Sequence, residues 1–342
     1  MNRSFSRTVT GLTVLTLVVL LLQHSVSTAQ TSAPKEAPLV PIKVAGARWI
    51  ELSPVVVAAE SFYPQKLTVP SGGVVSITSG AADLATNAET QLLRESVNNP
   101  DLRIIMTVSE SFYRLVARRS AGINKLADLK GKRALAPANT SAMYYLTAML
   151  RSAGLKEEDV ILVNQPAAQA APAGQVAPAT PPSKFRMADA LAAGTADVIA
   201  AFEPEPEVAA RKLGNDAIVL QDRKVYREAF NLHARGKDLA DPEKRRSIVA
   251  FVRAVAEASK ALKTDPKPYL PHISSVIGFS LEEISWGWPE TQFPVEIIPD
   301  MLDVLVTEEA WVAKVSNRAP RSREELAKFI DRSVVKEALS GK

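Results

Sequence analysis

The chain has 342 residues, enough for two ordinary domains, and 46% of them are apolar, the composition of a folded protein rather than a disordered one. It has no cysteine, which excludes disulfides, thiolate metal sites, a lipid-anchored N-terminal cysteine and every cysteine-nucleophile mechanism. The formal net charge is +4, Arg3 and Arg7 supply two of those charges, and acids and bases interleave elsewhere, so nucleic-acid binding is not suggested.

Residues 1–29 read as a cleavable secretory signal. Arg3 and Arg7 give the charged start, Gly11–Leu22 is an apolar run short for a membrane span, and Ser27 and Ala29 are small residues placed for cleavage. A polar leader follows over 30–38. Ile42, Val44 and Gly46 read as a first strand, Arg48–Ser53 as the loop after it, and Pro54–Glu60 as an apolar helix. Between Tyr63 and Gly80 a strand and a helix look compressed into Lys66–Ser79. Ala82–Ala85 is expected as a strand, Asn87–Ser96 as a helix, and Arg103–Val108 and Tyr113–Ala117 as strands.

The stretch 126–163 is the most legible. Lys130–Lys132 is a turn and Arg133–Ala136 a short apolar strand. Asn139, Thr140 and Ser141 are three consecutive N-cap residue types. Ala142, Tyr145, Leu146, Met149 and Leu150 then recur at helical spacing, and Gly154 sits where a C-cap glycine belongs. Asp159–Val163 is the next strand. Residues 166–183 are a low-complexity run of Ala, Pro and Gln that reads as a flexible loop. Asp197–Phe202 and Ile218–Leu220 are strands. Asp241 and Pro242 open a long helix to about Leu262, with Ile248, Val252, Val255 and Leu262 on one face. Ser280/Glu283 and Ser322/Glu325 are capping boxes that start further helices. Strands alternating with helices argue for parallel α/β sheets.

The run LADLKGKRALAPANTSAMYYLTAMLRSAGLKEEDVILV over 126–163 resembles the central segment of periplasmic solute-binding proteins of ABC importers, in the sulfonate/nitrate/taurine branch with its thiamine-precursor relatives. GAADLATNAE at 80–89, ADALAAGTADV at 188–198, FEP at 202–204 and FIDRSVVKE at 329–337 extend the resemblance over most of the chain. It implies an α/β fold of the type II periplasmic-binding-protein kind. Two lobes, 39–112 plus 233–342 and 113–232, would be joined by two hinge strands around a ligand cleft. It also implies a periplasmic monomer with no membrane anchor after signal cleavage, whose partners are a small-molecule ligand and an ABC permease with its ATPase. Two enzymes resemble the family. A sulfinate desulfinase needs a cysteine, absent here, and a thiamine-pyrimidine synthase is cytosolic and uses histidine.

Four loops should meet at the carboxyl ends of strands, where open α/β sheets place ligands. The first carries Arg48, Trp49, Glu51 and Ser53; Trp49 either stacks on ligand or simply packs. The second carries Asn87 and Glu89 and the third Asn139, Thr140 and Ser141, and each set either caps a helix or ligates. The fourth is Glu203, expected to face the cleft between Phe202 and Pro204, or else to be a surface carboxylate. Glu51, Glu89 and Glu203 disfavour an anionic ligand, while Arg48 and two helix starts favour one; a zwitterion or an aromatic anion meets both conditions. No catalytic set, cofactor motif or metal spacing is present. Beyond His24 in the signal only His233 and His272 remain, and neither stands beside a nucleophile motif. The expected role is solute capture without turnover, with a secreted enzyme or a sensor ectodomain as the alternative.

Overall fold

The computed structural model describes residues 38–163 and 186–340. The signal segment and the Ala/Pro-rich run 166–183 lie outside these residues. The described chain builds two five-stranded sheets with helices packed on them.

The strands are β1 Val44–Gly46, β2 Leu84–Ala88, β3 Leu102–Ser111, β4 Leu115–Arg118, β5 Arg133–Leu135, β6 Ile161–Leu162, β7 Val198–Ala200, β8 Ala217–Leu220, β9 Glu228–Arg235 and β10 Thr291–Gln292. The first sheet runs β1-β2-β9-β3-β10, with β1 and β2 parallel and β9 antiparallel to both its neighbours. The second runs β6-β5-β7-β4-β8, with β5 parallel to β6 and β7, and β4 antiparallel to β7 and β8. Both sheets are therefore mixed, not parallel as the alternation of elements suggested. β4 and β9, antiparallel to both their neighbours, are the strands the chain enters directly from the other sheet without a helix.

Among the described residues the chain crosses between the sheets twice, at 112–114 and at 221–227. Gln221 ties the crossings together: its Nε2 donates to the carbonyls of Phe112 and Tyr113, each at 3.3 Å, and to Glu290 at 2.8 Å. The second crossing precedes β9, so the lobe boundary expected at 232/233 falls inside a strand of the first sheet. Buried almost throughout as a central strand, β9 has no alternation to mark its limits.

Most expected elements form within a few residues of their predicted limits. The helix Ser141–Ser152 ends as its sequence demands: Gly154 adopts φ +76°, and the Leu155 N–H returns to the Leu150 carbonyl at 2.9 Å. Pro242–Thr264 starts at Asp241, whose carboxylate accepts the N–H groups of Glu243 and Lys244, and its predicted apolar face is buried. Both capping boxes form. The exception is 63–80. Apart from an isolated bridge from Ser71 to Gly46, the only regular element there is the helix Val74–Thr78. Among the described residues no helix is long and apolar enough to cross a membrane.

Candidate functional site

Residues from both sheets' connections enclose a cavity of about 220 Å³. Ala47, Trp49 and Glu51 come from the turn after β1. Gly46 permits this tight turn, since a Cβ there would run into the Leu52 side chain. Asn87, Ala88 and Gln91 come from the end of β2 and the helix Glu89–Glu95. Thr140 and Ser141 open the helix Ser141–Ser152, Phe202 follows β7, and Glu228 and Phe230 lie on β9. Two larger hollows, of about 400 and 770 Å³, lie more open on the surface. The smaller cavity is the candidate site, because it is the more enclosed and two buried carboxyls stand in its wall.

Those carboxyls are Glu51 and Glu228, respectively 1% and 2% exposed. Glu51 Oε1 accepts the Ser111 hydroxyl at 3.0 Å. Glu228 Oε1 accepts the Ser141 hydroxyl at 2.8 Å, and the Tyr113 hydroxyl lies 3.2 Å from Ser141 Oγ. Oε2 of neither carboxyl receives a fully formed hydrogen bond from the described residues, although Tyr113 stands beside Glu228 and the two carboxyls stand beside each other. Burial pushes the Glu51 carboxyl up to about 7, against hydrogen bonds that include one with Glu228. Burial, reinforced by the neighbouring Glu51 and Glu89, pushes Glu228 well above the usual carboxylate range. Two carboxyls this close and this dry share a proton more readily than they ionise together.

Behind them stands a second acidic pair. Glu89 accepts the Tyr226 hydroxyl at 2.6 Å and the Ala229 N–H at 3.1 Å, and hydrogen bonds with Glu308. Burial raises both. The apolar part of the wall is aromatic. The Trp49 ring lies 5.0 Å from Phe202 and 5.7 Å from Phe279, and Phe202 lies 5.7 Å from Tyr113.

Of the residues singled out in the sequence, the cavity brings together Trp49, Glu51, Asn87, Thr140 and Ser141. The other five are not on its wall. The Arg48 Nε is buried without a hydrogen-bond partner among the described residues. The Ser53 hydroxyl donates to the Ile50 carbonyl at 2.6 Å, Glu89 is held as above, and the exposed Asn139 offers its carbonyl to Gln91 at 2.9 Å. Glu203 is 1% exposed and faces Arg114, whose Nε and Nη2 donate to its Oε1 at 2.9 and 2.5 Å. It is neither a cleft-facing group nor a surface carboxylate, because the guanidinium 89 residues earlier in the chain sets its direction. Thr140 opens its helix without a side-chain cap; its hydroxyl donates to the Pro137 carbonyl at 2.7 Å.

Sequence reasoning missed Glu228, Phe230 and Gln91. The only signal for Glu228 was a lone acid at the start of a run otherwise suited to a buried strand. His233 lies buried beside Ala85 and His272 lies near Glu60, both away from the cavity wall.

Residues 67–182 match the family model described as NMT1/THI5 like. No curated protein matches the chain in sequence. Among solved structures, the periplasmic aliphatic sulphonate binding protein SsuA from Escherichia coli aligns with a TM-score of 0.66 at 16% identity, covering 85% of this chain and 92% of SsuA. The Candida albicans CA3427 gene product, described as exhibiting the generic periplasmic binding protein fold, aligns with a TM-score of 0.54 at 14% identity over 86% of this chain and 97% of its own. The chain has the periplasmic-binding-protein fold. An enzyme shares it: a variant of the desulfurization enzyme DSZB, in complex with biphenyl-2-sulfinic acid, aligns with a TM-score of 0.62 at 14% identity over 88% of this chain and 99% of DSZB. In this binding-protein fold the cavity described above lies between the connections of the two sheets.

Proposed function

We propose that the chain is the extracytoplasmic solute-binding component of an ABC importer. It is exported through a cleavable signal, captures one small organic solute in the cavity and delivers it to the permease. The observation that carries this reading is the composition of the cavity wall. Trp49, Glu51 and Asn87 belong to connections of the first sheet, and Thr140, Ser141 and Phe202 to connections of the second. A solute touching both halves is held better when they are together than when they are apart. That differential affinity drives closure about the crossings at 112–114 and 221–227.

The alternative is an enzyme on the same fold, and the likeness to DSZB favours it. The wall speaks for binding: it carries no cysteine or histidine, and its buried serine hydroxyl is committed to Glu228.

A thermal-shift screen of sulfonates, amino acids, carboxylates, amines and pyrimidines tests the proposal. A cognate solute at ~100 times its Kd is expected to add about 2.7 kcal/mol of stability. Chemical conversion of a stabilising solute on incubation would replace the binding reading with the enzymatic one.

A further inference from the structure

We propose that the solute carries a cationic N–H donor head, an ammonium or amidinium, held by Glu51 and Glu228, with a compact apolar body against Trp49 and Phe202. This rests on the solute-binding reading and adds the chemical class. The cavity wall includes two carboxyls and neither arginine nor lysine. Each carboxyl is almost fully buried, and its Oε2 has no fully formed hydrogen bond from any described residue, the other carboxyl being its close neighbour. Two buried carboxyls that share a single proton are poorly answered acceptors, and a solute with several N–H donors answers them better. An ammonium or amidinium brings several donors at once and a charge that two buried carboxylates attract. The rings of Trp49 and Phe202, 5.0 Å apart, present an apolar surface whose faces also attract cations.

The wall offers an anion no cation, and the start of its longer helix is already answered. The positive end of the helix Ser141–Ser152 is met by the protein's own Glu228 through the Ser141 hydroxyl. Of the nearby cations, Arg114 is paired with Glu203 and Glu207, and Arg227 with Glu110 and Asp300. Arg48 precedes Trp49 but is not on the wall. The other groups around the pair are Ser111 on β3, Tyr113 in the first crossing, and Glu89, Tyr226 and Glu308 behind β9. All of these are neutral or acidic.

Without solute, a proton between Glu51 and Glu228 quiets their mutual repulsion. The cationic head takes that proton's place, so binding releases a proton and tightens as pH rises. Matched solutes separate this from other readings. Taurine and isethionate share a sulfonate and differ in ammonium against hydroxyl; benzylamine and benzyl alcohol differ likewise. Calorimetry at neutral pH, in two buffers of different ionisation enthalpy, gives the affinity and the proton count together.

In at least one pair the amine is expected to bind ten times more tightly than its alcohol, with proton release. Glu228→Gln should weaken that amine at least tenfold and abolish the release. Glu51→Gln serves as the second variant should Glu228→Gln fail to fold, and the wild-type proton count needs no variant at all. The inference is overturned if neither amine binds at millimolar concentration, if alcohols bind as well as amines, or if a sulfonate without N–H donors binds wild type and Glu228→Gln alike. The last outcome would leave the importer reading intact. Failure of every solute in the broader screen would remove both.

Discussion

Glu309→Gln is expected to cost the fold about 3–5 kcal/mol, the range for breaking a buried ion pair from one side. Glu309 is 1% exposed on the helix Met301–Val315. Arg318 donates to its two oxygens at 2.5 and 3.0 Å, and Arg321 adds Nε and Nη2, both at 3.0 Å, with its backbone N–H at 2.8 Å. Burial pushes this carboxyl up, but the hydrogen bonds from Arg318 and Arg321 outweigh it and hold the group at about 2. Arg321 goes on to the Leu93 carbonyl at 2.7 Å and the Ser96 hydroxyl at 2.8 Å, at the end of the helix whose start supplies Gln91 to the cavity. Glutamine keeps the shape but leaves two largely buried guanidinium groups without a counter-charge. Urea unfolding of wild type and variant measures the loss. A change under about 1 kcal/mol would mean the triad behaves as an exposed surface pair.

Stability of the solute-free protein is expected to fall by at least ~2 kcal/mol between pH 6.5 and about 8.5. Burial raises Glu51 to about 7 and raises Glu228 and Glu308 further, so the folded chain holds protons that the unfolded chain has already lost. Stability from such groups is fully present below their ordinary carboxylate range and is lost as pH rises through the folded values. Glu203, which burial pushes up against the pull of Arg114, acts in the same direction. His233 acts in the opposite direction: burial lowers it to about 4, so its contribution grows with pH but is complete above its ordinary 6.5. The window above pH 6.5 therefore isolates the carboxyls. Urea midpoints across that window, for wild type and for Glu51→Gln/Glu228→Gln, make the test. A flat wild-type profile would mean that the cluster ionises without cost, and the double variant should be the flatter of the two.

What the sequence made legible was local. The caps at Asp241, Ser280 and Ser322, the glycine after the helix Ser141–Ser152 and the apolar face of Pro242–Thr264 all rest on residues a few positions apart. The loops bearing Trp49, Asn87 and Ser141 were found because polar or aromatic residues followed short apolar strands. Long-range partners were not legible. Glu89 is taken by Tyr226 and Ala229, 137 and 140 residues away, and Glu203 is turned by Arg114. Glu228 lies at the start of a strand buried on both faces, with no period to single it out. In 63–80, Pro64, Pro70, Gly72 and Gly73 interrupt both helical and strand spacing, and the structure forms only one short helix and one bridge there.

We propose capture without turnover in the cavity between Trp49 and Ser141. It is tested most directly by incubating the protein with its most stabilising solute and removing free solute by gel filtration. The retained material is then denatured and its mass measured. One molecule of unchanged solute per chain is expected, lost when Trp49 and Glu228 are both replaced. A product of altered mass, or the same retention in that double variant, would contradict it.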